Sequence, residues 1–410
     1  MKRLFLLAGF ISLLQLTGCS NPSGVSNAPP VWNTQPMVDA TAGGFTVVEG
    51  SVTGPPAPTV YYYYAADGTP IPPDNDFASD GNWKDATAAL PTIAPIGDYD
   101  SFGVAVNSEG TALSDRIDFT IPVPVAGDTQ IIAVGLMSFN LRYCPGAPAN
   151  TLPIETDDSN ILLSSVPAIW IAETEITYEL WITVVAWAQG NGYGFANPPG
   201  TQGDGSGDTN EHPVSMVTWR DAMVFANALT EWYNAYNGTR SDLTCVYHTN
   251  SSYNSPIRQV TNSTIIDTSA GGQDNPYVDA GADGFRLPEM YEWECAARYM
   301  DGSSWTPGDH ASGATDDYTN STECARVAVY GGSSAAIVKS KDSNALGCYD
   351  MSGNMWEYCF DKWFPYDGST RIARSGGWDN AASTLQVGQY QNTSPYSKFN
   401  RLGLRLCRNP

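Results

Sequence analysis

Cysteine and histidine are the residue types of this sequence best suited to metal binding or nucleophilic chemistry. Besides Cys19, they are Cys144, Cys245, Cys295, Cys324, Cys348, Cys359, Cys407, His212, His248 and His310. No two cysteines have Cys-x-x-Cys spacing, and the sequence contains neither a Ser/His/Asp arrangement nor a phosphate-binding glycine loop. In an exported chain, seven cysteines allow at most three disulfides, so at least one thiol stays free in a monomer. A structural zinc site is therefore not expected.

The overall charge excludes one large class of partners. The 410 residues include 20 Lys and Arg against 43 Asp and Glu, which gives a net charge of −23. Binding to nucleic acid or to an anionic membrane surface requires clustered basic side chains that neutralise phosphates. No nucleic acid partner is expected.

The N-terminus has the pattern of an exported lipoprotein. Lys2 and Arg3 precede an apolar run over residues 4–16, which is too short for a stable membrane span and ends in Leu-Thr-Gly-Cys19. This resembles a bacterial lipobox and predicts a signal peptide over residues 1–18, lipidation of Cys19 and a linker over residues 19–28. The alternative is ordinary secretion with a chance cysteine. The predicted location is a bacterial membrane, at the outer membrane or cell surface, with the lipid as the only membrane contact.

Residues 29–122 carry the signals of short β-strands. Runs rich in β-branched and aromatic residues occupy 45–48, 60–64, 101–106 and 117–121, with Gly, Pro, Asp and Asn between them. This pattern predicts a β-sandwich that resembles a fibronectin type III or immunoglobulin-like module and serves as a stalk. The tyrosines at 61–64 are expected to alternate between a buried and an exposed face.

From residue 130 onward the pattern is mixed α and β. Thr177 is placed to cap a helix over 178–188, and Thr218 with Asp221 has the spacing of a capping box before a second amphipathic run. A third helix is expected over 289–299. Its carboxylates, Glu289, Glu292 and Glu294, are interpreted as a solvated or ion-paired face rather than as an acid/base pair. The sequence therefore predicts the α+β class.

Six ordered motifs in this half resemble the formylglycine-generating enzyme (sulfatase-modifying factor) family. They lie at residues 170–177, which read Trp-Ile-Ala-Glu-Thr-Glu-Ile-Thr, and at 212–222, 284–298, 346–358, 374–378 and 403–405. The resemblance covers residues 130–410 and implies a C-type-lectin-like fold with little regular secondary structure. His212 is interpreted as a hydrogen-bonded turn residue.

The resemblance implies one missing and one retained metal site. Enzymes of this family oxidise a substrate cysteine through two thiols that bind copper. At the matched positions this chain has Asn380 and Leu385, and Gly377 replaces the serine that accompanies the thiols. Cu(I) needs thiolate ligands, so the sequence predicts loss of the oxidase chemistry. The family's structural calcium site matches Asp350, Gly353, Met355 and Glu357. Calcium is thus the one predicted cofactor, and the alternative is a loop held by hydrogen bonds.

The stretch from 374 to 406 has the composition of a binding surface. Tyr, Ser, Asn and Arg are the residues of an adaptable paratope. The stretch also resembles the variable region of retroelement-diversified lipoproteins with the same fold. Gln391 either departs from the Asn-codon pattern of such regions or never arose from an Asn codon. The predicted ligand-binding residues are Trp378, Asp379, Asn380, Ser383, Thr384, Tyr390, Asn392, Thr393, Ser394, Tyr396, Ser397, Phe399 and Asn400.

These patterns predict a lipid-anchored, non-catalytic display protein whose C-terminal loops bind a protein or glycan. Trp356, Gly376, Gly403 and Arg405 are expected beneath the binding surface as scaffold. Two alternatives stay open. One is an enzyme of the family that acts through other residues, and the other is a structural surface lipoprotein without a specific ligand.

Overall fold

The computed structural model describes residues 28–72, 77–78, 82–86, 92–134, 137–237, 243–363 and 370–410. The predicted signal peptide and Cys19 lie outside these residues. None of the described helices is both long enough and apolar enough to cross a membrane.

The N-terminal part of the chain is built from antiparallel strands. They are β1 (Val31–Thr34), β2 (Met37–Thr41), β3 (Gly44–Val48), β4 (Ser51–Thr53), β5 (Thr59–Ala66), β6 (Lys84–Ala86), β7 (Thr92–Ile93), β8 (Gly97–Asn107), β9 (Gly110–Leu113) and β10 (Ile117–Ile121). One sheet has the order β10-β8-β5-β6 with β9 on β8, another has the order β2-β3-β7, and β1 pairs with β4.

Aromatic side chains on β5 pack on both faces of its sheet. Tyr62 and Tyr64 share an apolar cluster with residues of β2 and β3, and the Phe45 and Tyr64 rings lie 4.8 Å apart. Tyr63 faces the other way and stacks on Phe77 at 5.3 Å. The expected alternation holds at Tyr61, which is exposed, but Tyr63 is buried because residues 77 and 83 cover that face. The fibronectin or immunoglobulin resemblance and the boundary at residue 122 stay predictions.

The C-terminal part contains short strands joined by long loops. They are β11 (Thr129–Val134), β12 (Met137–Cys144), β13 (Pro153–Ile154), β14 (Asn160–Ile161), β15 (Ile169–Ala172), β16 (Thr201–Gln202), β17 (Val214–Ser215), β18 (Tyr247–His248), β19 (Tyr277–Val278), β20 (Phe285–Arg286), β21 (Trp356–Lys362), β22 (Arg371–Arg374), β23 (Gln391–Thr393), β24 (Leu402–Gly403) and β25 (Cys407–Arg408). The main sheet has the order β11-β12-β15-β25-β20, and a second has the order β23-β22-β21-β24. The end of the chain is therefore an interior strand of the main sheet.

Four helices are described in this part: α1 (Tyr178–Gly190), α2 (Trp219–Asn237), α3 (Met290–Arg298) and α4 (Ser321–Val327). Leu180 N donates to Thr177 Oγ1 at 3.3 Å, and Thr218 exchanges hydrogen bonds with Asp221. Both predicted caps are therefore confirmed, because each side chain satisfies an amide at a helix start. The sequence did not predict α4. Mixed helices and strands confirm the α+β class.

Candidate ligand-binding face and buried carboxylate cluster

A buried ion-pair network fixes the start of the 374–406 stretch. Arg374 Nη2 donates to Glu294 Oε2 at 2.6 Å, and Arg298 contacts the other oxygen of the same carboxylate at 2.8 Å. Arg374 and Glu294 are each 1% exposed. The carboxylates Glu292 and Glu294 are therefore ion-paired as predicted, but neither is solvated, because both are buried. The arginines that pair with Glu294 are buried as well, whereas Arg286, which pairs with Glu292, is half-buried.

The next residues form a turn against the 350–357 loop. Ser375 Oγ donates to Gly353 O at 3.0 Å, which joins the two segments. Gly376 has φ +88°, and a Cβ there would lie 2.9 Å from Thr384 O. Glycine is required at this position because both its backbone conformation and the close approach exclude a side chain.

The two positions that match the family's copper thiols serve the fold. Asn380 Oδ1 accepts hydrogen bonds from Trp356 Nε1 at 2.7 Å and from Gly377 N at 3.0 Å. Leu385 is fully buried in an apolar cluster that includes Ala311 and Cys324. An amide acceptor and an alkyl side chain cannot bind Cu(I) as thiolates do.

The predicted ligand-binding residues differ in exposure. Asp379, Ser383, Asn392 and Phe399 are exposed, whereas those that are half-buried are Trp378, Asn380, Thr384, Tyr390, Ser394, Tyr396, Ser397 and Asn400. Thr393 was expected at the surface but is buried. Thr393 lies in β23 and pairs with Arg371 of the neighbouring strand β22. Because side chains alternate along a strand, Thr393 points inward while its neighbour Asn392 points outward.

A polar groove of about 340 Å³ lies within this surface. Its lining residues are Thr370, Gln391, Asn392, Thr393, Ser394, Ser397, Phe399, Arg401 and Leu402. Hydroxyl and amide groups dominate the lining, none of the described lining residues is a carboxylate, and Phe399 is 45% exposed. Arg401 is paired with Asp379 at 3.0 Å, and its guanidinium carbon lies 5.7 Å from the centroid of the Phe399 ring.

The remaining predicted residues do not line the groove, and several hold the stretch in place. Trp378 Nε1 donates to Asn400 O at 3.2 Å and so joins the two ends of the stretch. Tyr390 packs on Trp363 at 4.9 Å, and Tyr396 lies 5.8 Å from the Arg220 guanidinium. These tyrosines therefore contribute to packing as well as to the surface.

The residues predicted to be scaffold are all buried. They are Trp356, Gly376, Gly403 and Arg405. His212 is likewise confirmed as a turn residue, because its Nδ1 accepts from Thr209 N at 3.0 Å. The surface thus lies on a fixed base.

The predicted calcium ligands lie in the buried 350–357 loop. Glu357 forms a bidentate ion pair with Arg405, with contacts of 2.8 and 2.9 Å, and accepts from Trp293 Nε1 at 2.7 Å. Asp350 Oδ2 accepts from Lys339 N at 2.9 Å, whereas no donor in the described part of the chain is within hydrogen-bonding distance of Asp350 Oδ1. Gly353 and Met355 are buried in the same loop. Glu357 is thus already neutralised by one cation, and Asp350 is only partly satisfied.

Glu175 joins this cluster and was missed by the sequence analysis. It is 1% exposed and its carboxyl group faces that of Asp350, and among the described residues no other donor side chain is within hydrogen-bonding distance of its oxygens. Burial, followed by the charges of Asp350 and Glu357, raises its pKa well above the ordinary value, and burial likewise raises the pKa of Asp350. The sequence feature that could have pointed to Glu175 is its position just after the buried strand β15, two residues beyond another acidic residue, Glu173.

The donor set of this cluster is rich in oxygen, the ligand type that a hard cation takes. Three buried carboxylates face one arginine, and buried charges without partners are costly. Among the described residues, no group of three His, Cys, Asp or Glu side chains is arranged as a metal site. Calcium, however, accepts backbone carbonyls beside one or two carboxylates. The unpartnered oxygens of Glu175 and Asp350 are therefore the strongest structural indication of such a site.

Comparison with known proteins defines the class of protein. Residues 157–410 match the sulfatase-modifying factor enzyme 1-like domain family, and the chain belongs to that family. Among solved structures it is similar to Treponema denticola variable protein 1, with a TM-score of 0.52 and 29% identity over 70% of this chain and 100% of that one.

Curated relatives have different names. The chaperone protein LppX of Paenibacillus barcinonensis is 26% identical over 298 residues, which are 66% of this chain and 90% of that protein. The formylglycine-generating enzyme of Streptomyces coelicolor is 25% identical over 283 residues, which are 63% of this chain and 66% of the enzyme. The family resemblance is thus confirmed, and the family contains enzymes.

Proposed function

We propose that this chain is a non-catalytic ligand-binding protein that displays the 374–406 surface from a bacterial membrane. The observation that carries the proposal is the polar groove, in which Thr370 meets polar and aromatic residues from positions 391 to 402. The stretch that supplies most of this lining begins at Arg374, which a buried ion pair with Glu294 holds in place. A fold tolerates change in a surface loop when its support is fixed, and binding is concentrated on such loops. The similarity to a variable protein from Treponema denticola supports the same interpretation.

The groove favours a ligand recognised by hydrogen bonds. Its amides and hydroxyls can donate and accept, and Arg401, the one cation among the described lining residues, is already paired with Asp379. Phe399 adds an exposed aromatic contact. This combination suits a neutral polar surface of a protein or glycan better than a strongly charged ligand.

The alternative function, an enzyme of this family, lacks the copper-binding thiols that the family uses for oxidation. Asn380 is held as an acceptor for Trp356 and Gly377, and Leu385 is in the apolar core. An enzyme activity of this chain would therefore need other residues.

Calcium and a lipid anchor complete the proposal. Asp350, Glu175 and backbone carbonyls of the 350–357 loop would hold calcium, which would neutralise the buried carboxylates and stabilise the loop beneath the surface. Lipid on Cys19 would tether the chain, with residues 29–122 as a stalk.

Sequencing the gene and its surroundings in many isolates tests the display function. We expect a reverse-transcriptase gene nearby, a near-copy of the last hundred or so bases, and substitutions concentrated at exposed positions between 378 and 400. Trp356, Gly376, Gly403 and Arg405 should stay unchanged. Substitutions spread evenly over the C-terminal domain, with no repeat nearby, would contradict a diversified surface.

A further inference from the structure

Two buried cysteine sulfurs are in contact at the base of the C-terminal domain. Cys144 ends β12 and Cys295 lies within α3, and their Sγ atoms are 3.9 Å apart. They are 1% and 0% exposed, respectively. Among the described residues, no other pair of cysteine sulfurs is within hydrogen-bonding distance.

The other thiols have different surroundings. Cys245 faces Asn227 O and Glu231, and Cys324 faces Tyr318 O. Cys348, Cys359 and Cys407 belong to the same apolar cluster as the pair, but in the described part of the chain none of their sulfurs is within hydrogen-bonding distance of Cys144 or Cys295. The seven described cysteines thus consist of one pair in contact and five single thiols.

We propose that Cys144 and Cys295 form a disulfide when the chain folds in an oxidising compartment. Two S–H bonds break and one S–S bond forms as the sulfurs approach to about 2.0 Å. The two electrons and two protons pass to the disulfide of a thiol–disulfide oxidoreductase, which becomes a dithiol. The inference rests on the predicted export of the chain and is independent of ligand binding.

This bond would secure the helix that supports the ligand-binding face. Cys295 is adjacent to Glu294, which holds Arg374 at the start of the 374–406 stretch. Cys144 pairs with Ile169 in the main sheet. The two cysteines are 151 positions apart in the chain, so the bond would close a long loop and restrict the unfolded ensemble strongly.

Peptide mapping tests the pairing directly. The full chain is expressed with its own leader in a bacterial host, purified without reductant, denatured, alkylated with iodoacetamide and digested. We expect one peptide pair linked through Cys144 and Cys295, with the other described cysteines alkylated. Alkylation of both Cys144 and Cys295, or a bond from either one to Cys348, would overturn the proposal.

Thermal unfolding provides a second readout. We expect dithiothreitol to lower the melting temperature of the native sequence by roughly 5 °C or more. In Cys144→Ala, Cys295→Ala and the double variant, this sensitivity should disappear. Cys324→Ala is the matched control, because it removes an equally buried thiol and should keep the sensitivity. Equal sensitivity in all variants would contradict the assignment.

Discussion

The indole Nε1 of Trp356 donates a 2.7 Å hydrogen bond to the side-chain oxygen of Asn380. Trp356 begins β21 and is 4% exposed, and the sequence predicts that Asn380 occupies the position of a copper-binding thiol of the family. The same amide oxygen also accepts from Gly377 N. The position that would carry oxidase chemistry therefore fixes the turn at the base of the ligand-binding face.

We expect Asn380→Ala to reduce the free energy of unfolding by about 1–3 kcal/mol, because the buried Trp356 indole loses the acceptor that the half-buried Asn380 provides. Urea denaturation measures the change. Asn392→Ala is the control, since Asn392 is exposed and its replacement should change stability by no more than about 0.5 kcal/mol. Equal effects of the two substitutions would show that the hydrogen bond has no special role.

Copper should not bind tightly, and a cysteine peptide derived from a sulfatase should not be oxidised. The reason is that Asn380 and Leu385 supply no thiolate. Mass spectrometry of the peptide after incubation with copper-loaded protein is the measurement, with a formylglycine-generating enzyme as the positive control. Copper-dependent turnover would show that other residues support the chemistry.

Arg374→Met should destabilise the domain by about 3–5 kcal/mol, because Glu294 would lose one of its two buried partners. Arg401→Met is a matched control within the same stretch. Its ion pair with Asp379 is partly exposed, so we expect a loss below about 1 kcal/mol. Denaturant curves that show similar losses of unfolding free energy for both substitutions would contradict the view that Arg374 supports the fold and Arg401 lies on its surface.

Calcium should raise the melting temperature, and chelator should lower it, because an ion bound only by the folded state stabilises that state. At a concentration one hundred times Kd the gain is about 2.7 kcal/mol. Asp350→Ala and Glu175→Gln should remove the response, whereas Glu211→Gln, at an exposed site, should keep it. Identical melting curves in calcium and chelator would leave the buried carboxylates without this explanation.

The helices were predictable because their signals are local. Thr177 and the Thr218–Asp221 pair cap the helices that follow them, and the apolar spacing marks the buried faces. Thr393 was assigned to the surface because nothing in its neighbourhood signals a strand. Its burial depends on pairing with Arg371, which lies 22 positions earlier.

Glu175, at the candidate metal site, likewise could not be predicted from its neighbours in the sequence. Its neighbours Asp350 and Glu357 are far away in sequence, so their shared burial follows from the tertiary fold and not from local spacing. The family motifs placed Asp350 and Glu357 in one loop, but they gave no reason to add Glu175. Likewise, composition indicated a binding surface, while the groove requires residues from β23, β24 and the loop between them to meet.

The most direct measurement of ligand binding compares the full chain with an Asn392→Ala/Phe399→Ala variant on an array of glycans and extracellular protein domains. Tyr61→Ala is the control, because its exposed fraction of 49% matches the 45% of Phe399 while it lies on the N-terminal β5. We expect saturable binding to at least one probe, a loss of tenfold or more in the groove variant, and unchanged melting temperatures. Binding that survives the groove variant, or no saturable binding by the native sequence, would contradict a ligand-binding role for this surface.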